Sequence, residues 1–316
     1  MIGRHRHCIA LEEYSREEIL EVLDLAVSMK EVLQRPIKKV PSLRGKSVVN
    51  LFFEASTRTR SSFEIAAKVL SADALNWTSA TSSTTKGETL VDTAKNLEAM
   101  KPDVLVIRHY AGGAPRLVAD RVGCSVVSAG DGAHEHPTQG LLDCFTLRER
   151  LGTLEGKTVA IVGDISHSRV ARSDLFAMQK LGAKVRFCGP PTIIPAGIEA
   201  LGATVHFDLR EAVDGADAVV MLRIQHERIG DPLIPNTREY SKLWGLGVKK
   251  AEEWLKPSCV ILHPGPINRG VELAPEVADG PRSVILDQVQ NGVAVRMAVL
   301  YLLAGGKAAE GAEGKA

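Results

Sequence analysis

The sequence predicts an α/β protein made of two Rossmann-like domains, each built on a parallel sheet. Short apolar runs alternate with segments of helical periodicity, which is the pattern of parallel strands joined by helices. The length of 316 residues suits two domains of about 150 residues each. The alternation restarts after the segment LGTLEGKT at 151–158, where two glycines follow a predicted helix. The boundary between the domains is therefore placed near residue 151.

The first domain is predicted to span residues 1–150. Ser15 and Glu18 form a capping-box pattern, and apolar residues recur at helical spacing until Pro36, so the domain begins with an amphipathic helix. Apolar runs predict buried strands at 47–53, 104–107 and 125–127. Helical periodicity predicts helices from residue 57 onward, over 89–100 and over roughly 138–150.

The second domain is predicted to span residues 151–286. Short apolar runs predict its strands at 158–163, 184–188, 204–207, 218–222 and 259–262. A closing helix is predicted over 287–304 and is expected to pack back on the first domain. Long helices would thus join the two domains, with an active site in the cleft between them. The tail at 305–316 is expected to be disordered, because it offers little apolar surface to bury.

Composition excludes several classes of function. Lysine and arginine total 39 against 38 aspartate and glutamate, and the net charge of +1 offers no field for nucleic acid or an anionic membrane. The five cysteines are scattered and contain no CxxC pair, which favours a reducing compartment. A signal-peptide core and an apolar run of about 18 residues are both absent from the sequence. These features predict a soluble, cytoplasmic protein without nucleic acid or membrane partners.

A dense group of anion ligands, Ser56-Thr57-Arg58-Thr59-Arg60, stands where a predicted strand turns into a helix. Backbone N–H groups and the helix dipole favour phosphate oxygens at such a turn. Ser56 alone could serve as an N-cap, but three hydroxyls and two guanidinium groups exceed what capping requires. Because the GxxxxGK[ST] spacing of a P-loop is absent, the turn predicts a phosphate site without nucleotide hydrolysis.

The run FFEASTRTRSSFE at 52–64 closely resembles the carbamoyl phosphate motif of the aspartate and ornithine carbamoyltransferases. The resemblance implies a phosphate site formed by four consecutive residues, Ser56, Thr57, Arg58 and Thr59. Thr59 would also reach the carbamoyl oxygen, and Arg60 would be a structural neighbour. Further motifs follow in the order of this family over nearly the whole chain.

Two of these motifs lie where open α/β sheets place ligands, outside the carboxyl ends of strands. Arg108 follows the run VLVI, and the run HPTQ before a helix contains His136 and Gln139. Attack of an amine on a carbamoyl carbon creates an oxyanion that preorganised donors stabilise, and we assign Arg108, Thr59 and His136 to this role. Gln139 would bind the carbamoyl NH2 group. His134 and His136 leave a metal site open as an alternative, but without acidic or thiol partners we expect neither a metal nor a cofactor.

The polar loop SSTTKGET at 82–89 contains one lysine just before a predicted helix. Its composition alone is typical of a solvated surface loop. The family uses such a loop to reach the active site of a neighbouring subunit, so the resemblance implies that Ser82 and Lys86 bind carbamoyl phosphate in trans. Lys86 would also meet aspartate when the loop closes. The expected assembly is a homotrimer with shared active sites, and a regulatory or dihydroorotase-type partner chain stays open.

The run VAIVGDISHSRVARS at 159–173 begins like the strand, turn and helix of a nicotinamide dehydrogenase. Only Gly163 stands where the GxGxxG fingerprint needs three glycines, and His167 and Arg169 make the turn bulky. We therefore interpret the turn as an anion site. The run also resembles the VGD…HSRV segment of aspartate carbamoyltransferases, which implies that Arg169 contacts the α-carboxylate of aspartate.

The segment RIQHER after an apolar strand resembles the RxQxER element of the same family. The resemblance implies that Arg223 binds the side-chain carboxylate of aspartate with help from Gln225, because a guanidinium fork matches a carboxylate bidentately. Glu227 and Arg228 are expected to lock the loop by ion pairing.

The run HPGP at 263–266 resembles the HPxP loop of the family and implies that the backbone carbonyls of Pro264 and Gly265 accept hydrogen bonds from the attacking amine. Ornithine carbamoyltransferases carry an HCLP loop and an acidic acceptor motif, and neither occurs here. The arginines suit a dicarboxylate, so the expected reaction carbamoylates L-aspartate in pyrimidine biosynthesis. Ornithine or another amino acid is the alternative acceptor. A non-catalytic binding protein on the same fold is a third interpretation.

Overall fold

The structure is a computed structural model that describes residues 2–78, 88–225, 233–234 and 236–305. Its internal contacts divide the chain into two compact units. Unit 1 comprises Met1–Leu142 with Val289–Ala316, and unit 2 comprises Asp143–Gln288. The sequence placed the division near residue 151, whereas the contacts place it inside a helix. A restart of the strand and helix pattern marks where elements begin, and it does not mark where the packing changes.

Unit 1 combines one parallel sheet with helices. Its strands are β1 (Ser47–Phe52), β2 (Asp73–Thr78), β3 (Val104–His109) and β4 (Ser125–Asp131). Its helices are α1 (Arg16–Gln34), α2 (Thr57–Val69), α3 (Leu90–Ala99), α4 (Ala114–Ala119) and α5 (Pro137–Leu151), the last of which continues into unit 2. The order in the sheet is β2-β1-β3-β4. Apolar side chains of β1, β3 and β4 form a core with those of α3 and α4.

The elements of unit 1 show where local sequence signals suffice. The predicted capping box begins α1: Ser15 Oγ accepts from Glu18 N at 3.2 Å, and Glu18 Oε2 accepts from Ser15 N at 2.8 Å. The sequence analysis missed β2 and α4. Strand β2 lies at the sheet edge, and its run DALNWT leaves Leu75 57% exposed, so no clear apolar pattern marks it. Helix α4 has six residues, too few to show a helical period.

Unit 2 has the same kind of architecture with five strands. They are β5 (Thr158–Val162), β6 (Lys184–Cys188), β7 (Thr204–His206), β8 (Ala218–Met221) and β9 (Val260–Leu262), and all five were predicted. The helices are α6 (Arg169–Lys180), α7 (Leu209–Val213), α8 (Thr237–Leu243), α9 (Val248–Trp254), α10 (Pro275–Ala278) and α11 (Ile285–Gly305). The parallel sheet has the order β7-β6-β5-β8-β9.

Helix α11 begins in unit 2 and continues into unit 1, to which the structure assigns residues from Val289 onward. It ends at Gly305, a residue that the sequence analysis had given to the tail. Within the described ranges, the helices are too short or too polar to cross a membrane.

Candidate active site

Each sheet has one position where the chain reverses the direction in which it adds strands. In unit 1 this position lies between β1 and β3, and in unit 2 it lies between β5 and β8. Open α/β sheets bind ligands outside the carboxyl ends of the strands at such a position. The predicted residues follow this rule: Ser56–Thr59 come after β1 and Arg108 is the second-last residue of β3, whereas Arg169 comes after β5 and Arg223 after β8.

The predicted phosphate ligands lie at the N-terminus of α2. Ser56 occupies the N-cap position with extended backbone, yet its side chain makes no capping hydrogen bond. The capping interpretation would require the Ser56 hydroxyl to accept a hydrogen bond from the first turn of the helix, and it does not. Thr57 and Arg58 are exposed and Thr59 is buried, so the turn presents hydroxyl and guanidinium groups beside the positive end of the helix dipole. An anion is favoured at such a turn.

Arg108 is held by two contacts at the same edge of the sheet. Its Nε lies 3.3 Å from Glu54 Oε2, and both side chains are less than one-fifth exposed. Its Nη1 donates to the carbonyl oxygen of Ala129 at 3.0 Å. A planar guanidinium that is fixed at two nitrogen atoms keeps its other N–H groups in a set direction. This geometry suits a donor that must be in place before charge develops on a substrate oxygen.

His136 and Gln139 lie at the start of α5, in the segment that follows β4. Both are buried, at 4% and 8% exposure, and the carbonyl oxygen of His136 accepts from the N–H groups of Gln139 at 2.9 Å and Gly140 at 3.2 Å. Pro137 stands at the first helical position, where a missing N–H costs no helical bond. The predicted helix start is therefore confirmed, and it places both side chains at the end of β4.

A cluster of metal-ligand type lies next to this helix start. Glu12, His134 and Glu135 are close enough to share an ion. His136 does not belong to this cluster. The two histidines whose spacing suggested a metal site, His134 and His136, therefore do not both take part in it. Both carboxylate oxygens of Glu135 already accept backbone N–H groups, from Leu11 at 2.8 Å and from Glu12 at 3.2 Å. The carboxylate thus fixes the chain near the N-terminus.

His109, which follows Arg108, has a structural role. Its Nδ1 accepts from Ala111 N at 2.9 Å, and its ring stacks on Tyr110 and packs at an angle on Phe53. Burial lowers the pKa of the imidazole below its usual range. A neutral ring that accepts at Nδ1 carries its proton on Nε2.

In unit 2 the turn after β5 approaches the end of β8 closely. Gly163 has φ of +136°, and a Cβ atom there would lie 2.5 Å from the carbonyl oxygen of Leu222, so the approach requires glycine. The next residue, Asp164, is fully buried. Its Oδ1 accepts from His167 N at 3.1 Å and lies 2.8 Å from His167 Nδ1, while its Oδ2 accepts from Gln225 N at 3.1 Å. Asp164 therefore ties the turn after β5 to the segment after β8.

The two arginines that were predicted to bind carboxylate groups lie in the segments that Asp164 joins. Arg169 is the first residue of α6, directly after Ser168, whose side chain caps the helix, and it is 3% exposed. Arg223 is partly exposed, and its Nη2 donates to Gln225 Oε1 at 3.2 Å. The structure thus brings Arg223 and Gln225 into contact, and it fixes both arginines near the position where open sheets bind ligands.

The HPGP segment follows β9 and is held by its first residue. The Nδ1 atom of buried His263 accepts from Gly265 N at 2.7 Å, so the proton lies on Nε2, which is 3.1 Å from buried Glu272. Gly265 has φ of +65°, a conformation that favours glycine, and a cis peptide bond joins it to Pro266. Pro264 and Gly265 are partly exposed above this anchor.

Several predicted residues lie outside those that the structure describes. They are Ser82 and Lys86 of the polar loop, Glu227 and Arg228 of the RIQHER segment, and the tail from 306 to 316.

Some residues that shape these sites had no predicted role. Glu54 and Asp164 each follow a strand directly at a ligand-binding position of a sheet, and an acid at that place was the signal that the sequence analysis overlooked. Glu272 and Gln288 hold His263 from distant segments, and no local signal in the sequence connects them to it.

Family comparisons agree with this geometry. Residues 6–149 match the domain described as aspartate/ornithine carbamoyltransferase, carbamoyl-P binding domain, and residues 155–303 match the corresponding Asp/Orn binding domain. The chain therefore belongs to the aspartate/ornithine carbamoyltransferase family.

Two curated relatives over nearly the whole chain carry the aspartate name. The aspartate carbamoyltransferase catalytic subunit of Anaeromyxobacter sp. (strain Fw109-5) is 88% identical over 316 residues, which cover 100% of each chain. That of Geobacter sulfurreducens is 61% identical over 97% of this chain and 98% of its own.

Solved structures show that the fold is shared by enzymes with different acceptors. The aspartate transcarbamoylase of Trypanosoma cruzi in complex with carbamoyl phosphate and aspartate is 29% identical with a TM-score of 0.85, covering 95% of this chain and 97% of its own. The ornithine carbamoyltransferase of Thermus thermophilus is 28% identical with a TM-score of 0.84, covering 95% and 99%. Because the scores are so close, the acceptor must be argued from the site.

Proposed function

We propose that this chain transfers the carbamoyl group of carbamoyl phosphate to the amine of L-aspartate, giving N-carbamoyl-L-aspartate and phosphate, a step of pyrimidine biosynthesis. One observation carries the proposal. Arg223 contacts Gln225 at the ligand-binding position of unit 2, and Asp164 ties that pair to the turn before Arg169. Two guanidinium groups and an amide suit an acceptor with two carboxylates and disfavour the cationic side chain of ornithine.

Carbamoyl phosphate would bind in unit 1. The helix start at Ser56–Thr59 supplies hydroxyl groups, a guanidinium group and backbone N–H groups for the phosphate oxygens. The carbamoyl oxygen would accept from Thr59, Arg108 and His136, and Gln139 would bind the carbamoyl NH2 group. Arg108 supports this role most directly, because Glu54 and Ala129 hold its guanidinium group before a substrate arrives.

Aspartate would bind in unit 2 through both of its carboxylates. Arg169 would contact the α-carboxylate, and Arg223 with Gln225 would bind the side-chain carboxylate. The carbonyl groups of Pro264 and Gly265 would accept hydrogen bonds from the amine. An acceptor that is held at both carboxylates and at its amine has already lost the freedom that a collision in solution would cost, which lowers the barrier to reaction.

The chemical step needs no covalent enzyme intermediate. The amine nitrogen forms a bond to the carbamoyl carbon, and the tetrahedral oxyanion then expels phosphate as the bond between that carbon and the bridging oxygen of the acyl phosphate breaks. The departing phosphate takes the amine proton on one of its own oxygens. A phosphate oxygen can take up a proton near neutral pH, and the proposed ligands include no carboxylate that would serve as a base.

The proposed function is tested with the purified chain, carbamoyl phosphate and either L-aspartate or L-ornithine. We expect release of phosphate and formation of N-carbamoyl-L-aspartate, with a much lower kcat/KM for ornithine. Arg223→Ala should remove the preference for aspartate, whereas Arg210→Ala, which removes an exposed arginine of α7, should leave it unchanged. Greater turnover with ornithine, or no carbamoyl transfer to aspartate, would overturn the proposal.

We also propose that the assembly is a homotrimer whose active sites are shared, with Ser82 and Lys86 of one subunit meeting the carbamoyl phosphate of another. The support is the resemblance of the loop at 82–89 to the loop that crosses subunits in this family. The relatives are named catalytic subunits, which leaves room for a regulatory or dihydroorotase-type partner. The five cysteines are free and buried, which favours the reducing environment of the cytoplasm.

Hybrid trimers test the shared site. Lys86→Ala and Arg58→Ala chains should each keep only a small residual activity alone. Mixed trimers should regain activity, because some sites then combine an intact loop with an intact phosphate site. If confirmed hybrids stay at that residual activity, Lys86 does not act on a neighbouring subunit.

A further inference from the structure

A chain of buried polar groups lies beneath the HPGP segment in unit 2. The backbone N–H of His263 donates to Gln288 Oε1 at 2.9 Å, and Gln288 Nε2 donates to Asp143 Oδ1 at 2.6 Å. The carboxyl group of Asp143 in turn lies close to that of Asp174 of α6. Gln288 is 3% exposed, and both aspartates are fully buried. These groups come from the residue after β9 and from α11, α5 and α6, so the chain of bonds connects four parts of unit 2.

The direction of each bond follows from the donor at one end. A backbone N–H can only donate, so the atom of Gln288 that faces His263 is its carbonyl oxygen, and its NH2 group faces Asp143. Asp143 must therefore accept. Among the described residues, no donor reaches either oxygen of Asp174, so its contact with Asp143 requires a proton. Burial, reinforced by the charge of Asp143, raises the pKa of Asp174, which favours a proton on Asp174.

We propose that Gln288, oriented by the Asp143 and Asp174 pair, is a positioning residue that sets the place of the HPGP segment and thereby the affinity for aspartate. The inference rests on the proposed function, because the carbonyl groups of Pro264 and Gly265 are the ones assigned to the amine.

The route from Gln288 to those carbonyls is short. His263 is the residue before Pro264. Its backbone N–H contacts Gln288, its Nδ1 contacts Gly265 and its Nε2 contacts Glu272. Losing the acceptor on the N–H would leave a buried donor unpaired, which is unfavourable enough to shift the strand end. A shift of about 1 Å at a reacting group can reduce turnover by about 100-fold.

The variant Gln288→Glu isolates the proposed bond with almost no change in volume. A glutamate oxygen still accepts from His263 N–H, but at a pH at which the glutamate is ionised its second oxygen repels the Asp143 carboxylate. We expect kcat/KM for aspartate to fall by about 10-fold or more, with the KM for carbamoyl phosphate unchanged. Gln290→Glu makes the same chemical change at an exposed position of α11 and should have no effect.

A second substitution should restore the network. In Gln288→Glu with Asp143→Asn, the amide introduced at position 143 can donate to the carboxylate at position 288, and its oxygen can accept the proton that Asp174 holds. Asp143→Asn alone should be close to the original protein, because its oxygen still accepts from Gln288 and the carbonyl oxygen of a protonated Asp174 can accept from its NH2 group. A purely packing role for Gln288 predicts no such rescue.

Amide hydrogen exchange supplies a readout that does not depend on activity. Exchange at the His263 amide should be faster in Gln288→Glu, and it should return to the original rate in the double variant. Faster exchange without a change in aspartate kinetics would confirm the anchor but overturn its link to the substrate. Unchanged exchange and kinetics in Gln288→Glu, or an unrescued loss in the double variant, would overturn the positioning role. An original protein inactive on aspartate would instead refute the proposed function.

Discussion

The two sites use acidic residues in different ways. In unit 1 a carboxylate acts on an arginine directly: Glu54 lies 3.3 Å from Arg108 Nε. In unit 2 the buried carboxylate of Asp164 accepts from the backbone N–H groups of His167 and Gln225. The first arrangement aims one side chain, whereas the second holds two chain segments together. The comparison indicates that unit 1 is organised around a single preformed donor and unit 2 around the spacing of its loops.

This difference follows from how each site is composed. Most of the proposed ligands that the structure describes in unit 1 come from one turn and the first turn of α2, so local backbone geometry brings them together. The proposed ligands in unit 2 follow three different strands, β5, β8 and β9, and must be joined by long-range contacts. A direct carboxylate partner suits the first case, and backbone anchors such as Asp164 and Glu272 suit the second.

The largest expected effect tests the preformed donor. Arg108→Ala should lower kcat by about 100- to 1,000-fold, the scale for loss of one oxyanion donor. Glu54→Gln keeps an oxygen near Arg108 but removes the charge, so it should cost less. Arg121→Ala, which removes an exposed arginine of unit 1, is the control. Steady-state kinetics at saturating substrates measure these effects, and a normal kcat in Arg108→Ala would remove this residue from the reaction.

The next effect tests the acceptor site. Arg223→Ala should raise the KM for aspartate by about 10- to 100-fold, because it removes a charge-assisted hydrogen bond to a carboxylate. Arg223→Lys should recover little, since a lysine cannot form a bidentate fork. The KM for carbamoyl phosphate should stay constant in both variants. Equal changes in both KM values would break the division between the two units.

A smaller effect tests the backbone anchor. Asp164→Asn retains one acceptor oxygen but presents an NH2 group to one of the backbone N–H groups, so one of the two segments loses its tie. We expect the KM for aspartate to rise by about 3- to 10-fold with kcat largely retained. If Asp164→Asn instead lowers kcat as strongly as Arg108→Ala does, the anchor is part of the chemistry and the comparison fails.

The smallest effect concerns stability. Burial raises the pKa of Asp174, whereas an aspartate in the unfolded chain ionises near pH ~3.9. Between that pH and the raised pKa, the folded protein binds one proton more than the unfolded chain, so the free energy of unfolding falls as pH rises. Asp174→Asn donates to Asp143 without titrating. It should raise Tm at neutral pH, and the gain should shrink as pH falls toward ~4, while an equal gain at all pH values would contradict the protonated assignment.

The sequence predicted those parts of the molecule that depend on neighbouring residues. The start of α1, the strands of unit 2 and the start of α2 each carry a local signal in capping residues or apolar runs. The partners of Arg108 and His263 could not be read in this way, because Ala129 and Gln288 reach them only after folding. The edge strand β2 was missed for a related reason. Which of its side chains are buried depends on its pairing with β1, and the residues next to it in the sequence do not reveal that pairing.

The central claim is that each unit binds one substrate, and paired kinetics of Arg58→Ala and Arg223→Ala test it most directly. Both KM values are measured for each variant while the other substrate is saturating. We predict a crossed result, in which Arg58→Ala raises mainly the KM for carbamoyl phosphate and Arg223→Ala raises mainly the KM for aspartate. If both variants raise the KM of the same substrate, or if neither variant changes either value, the assignment of one substrate to each unit is wrong.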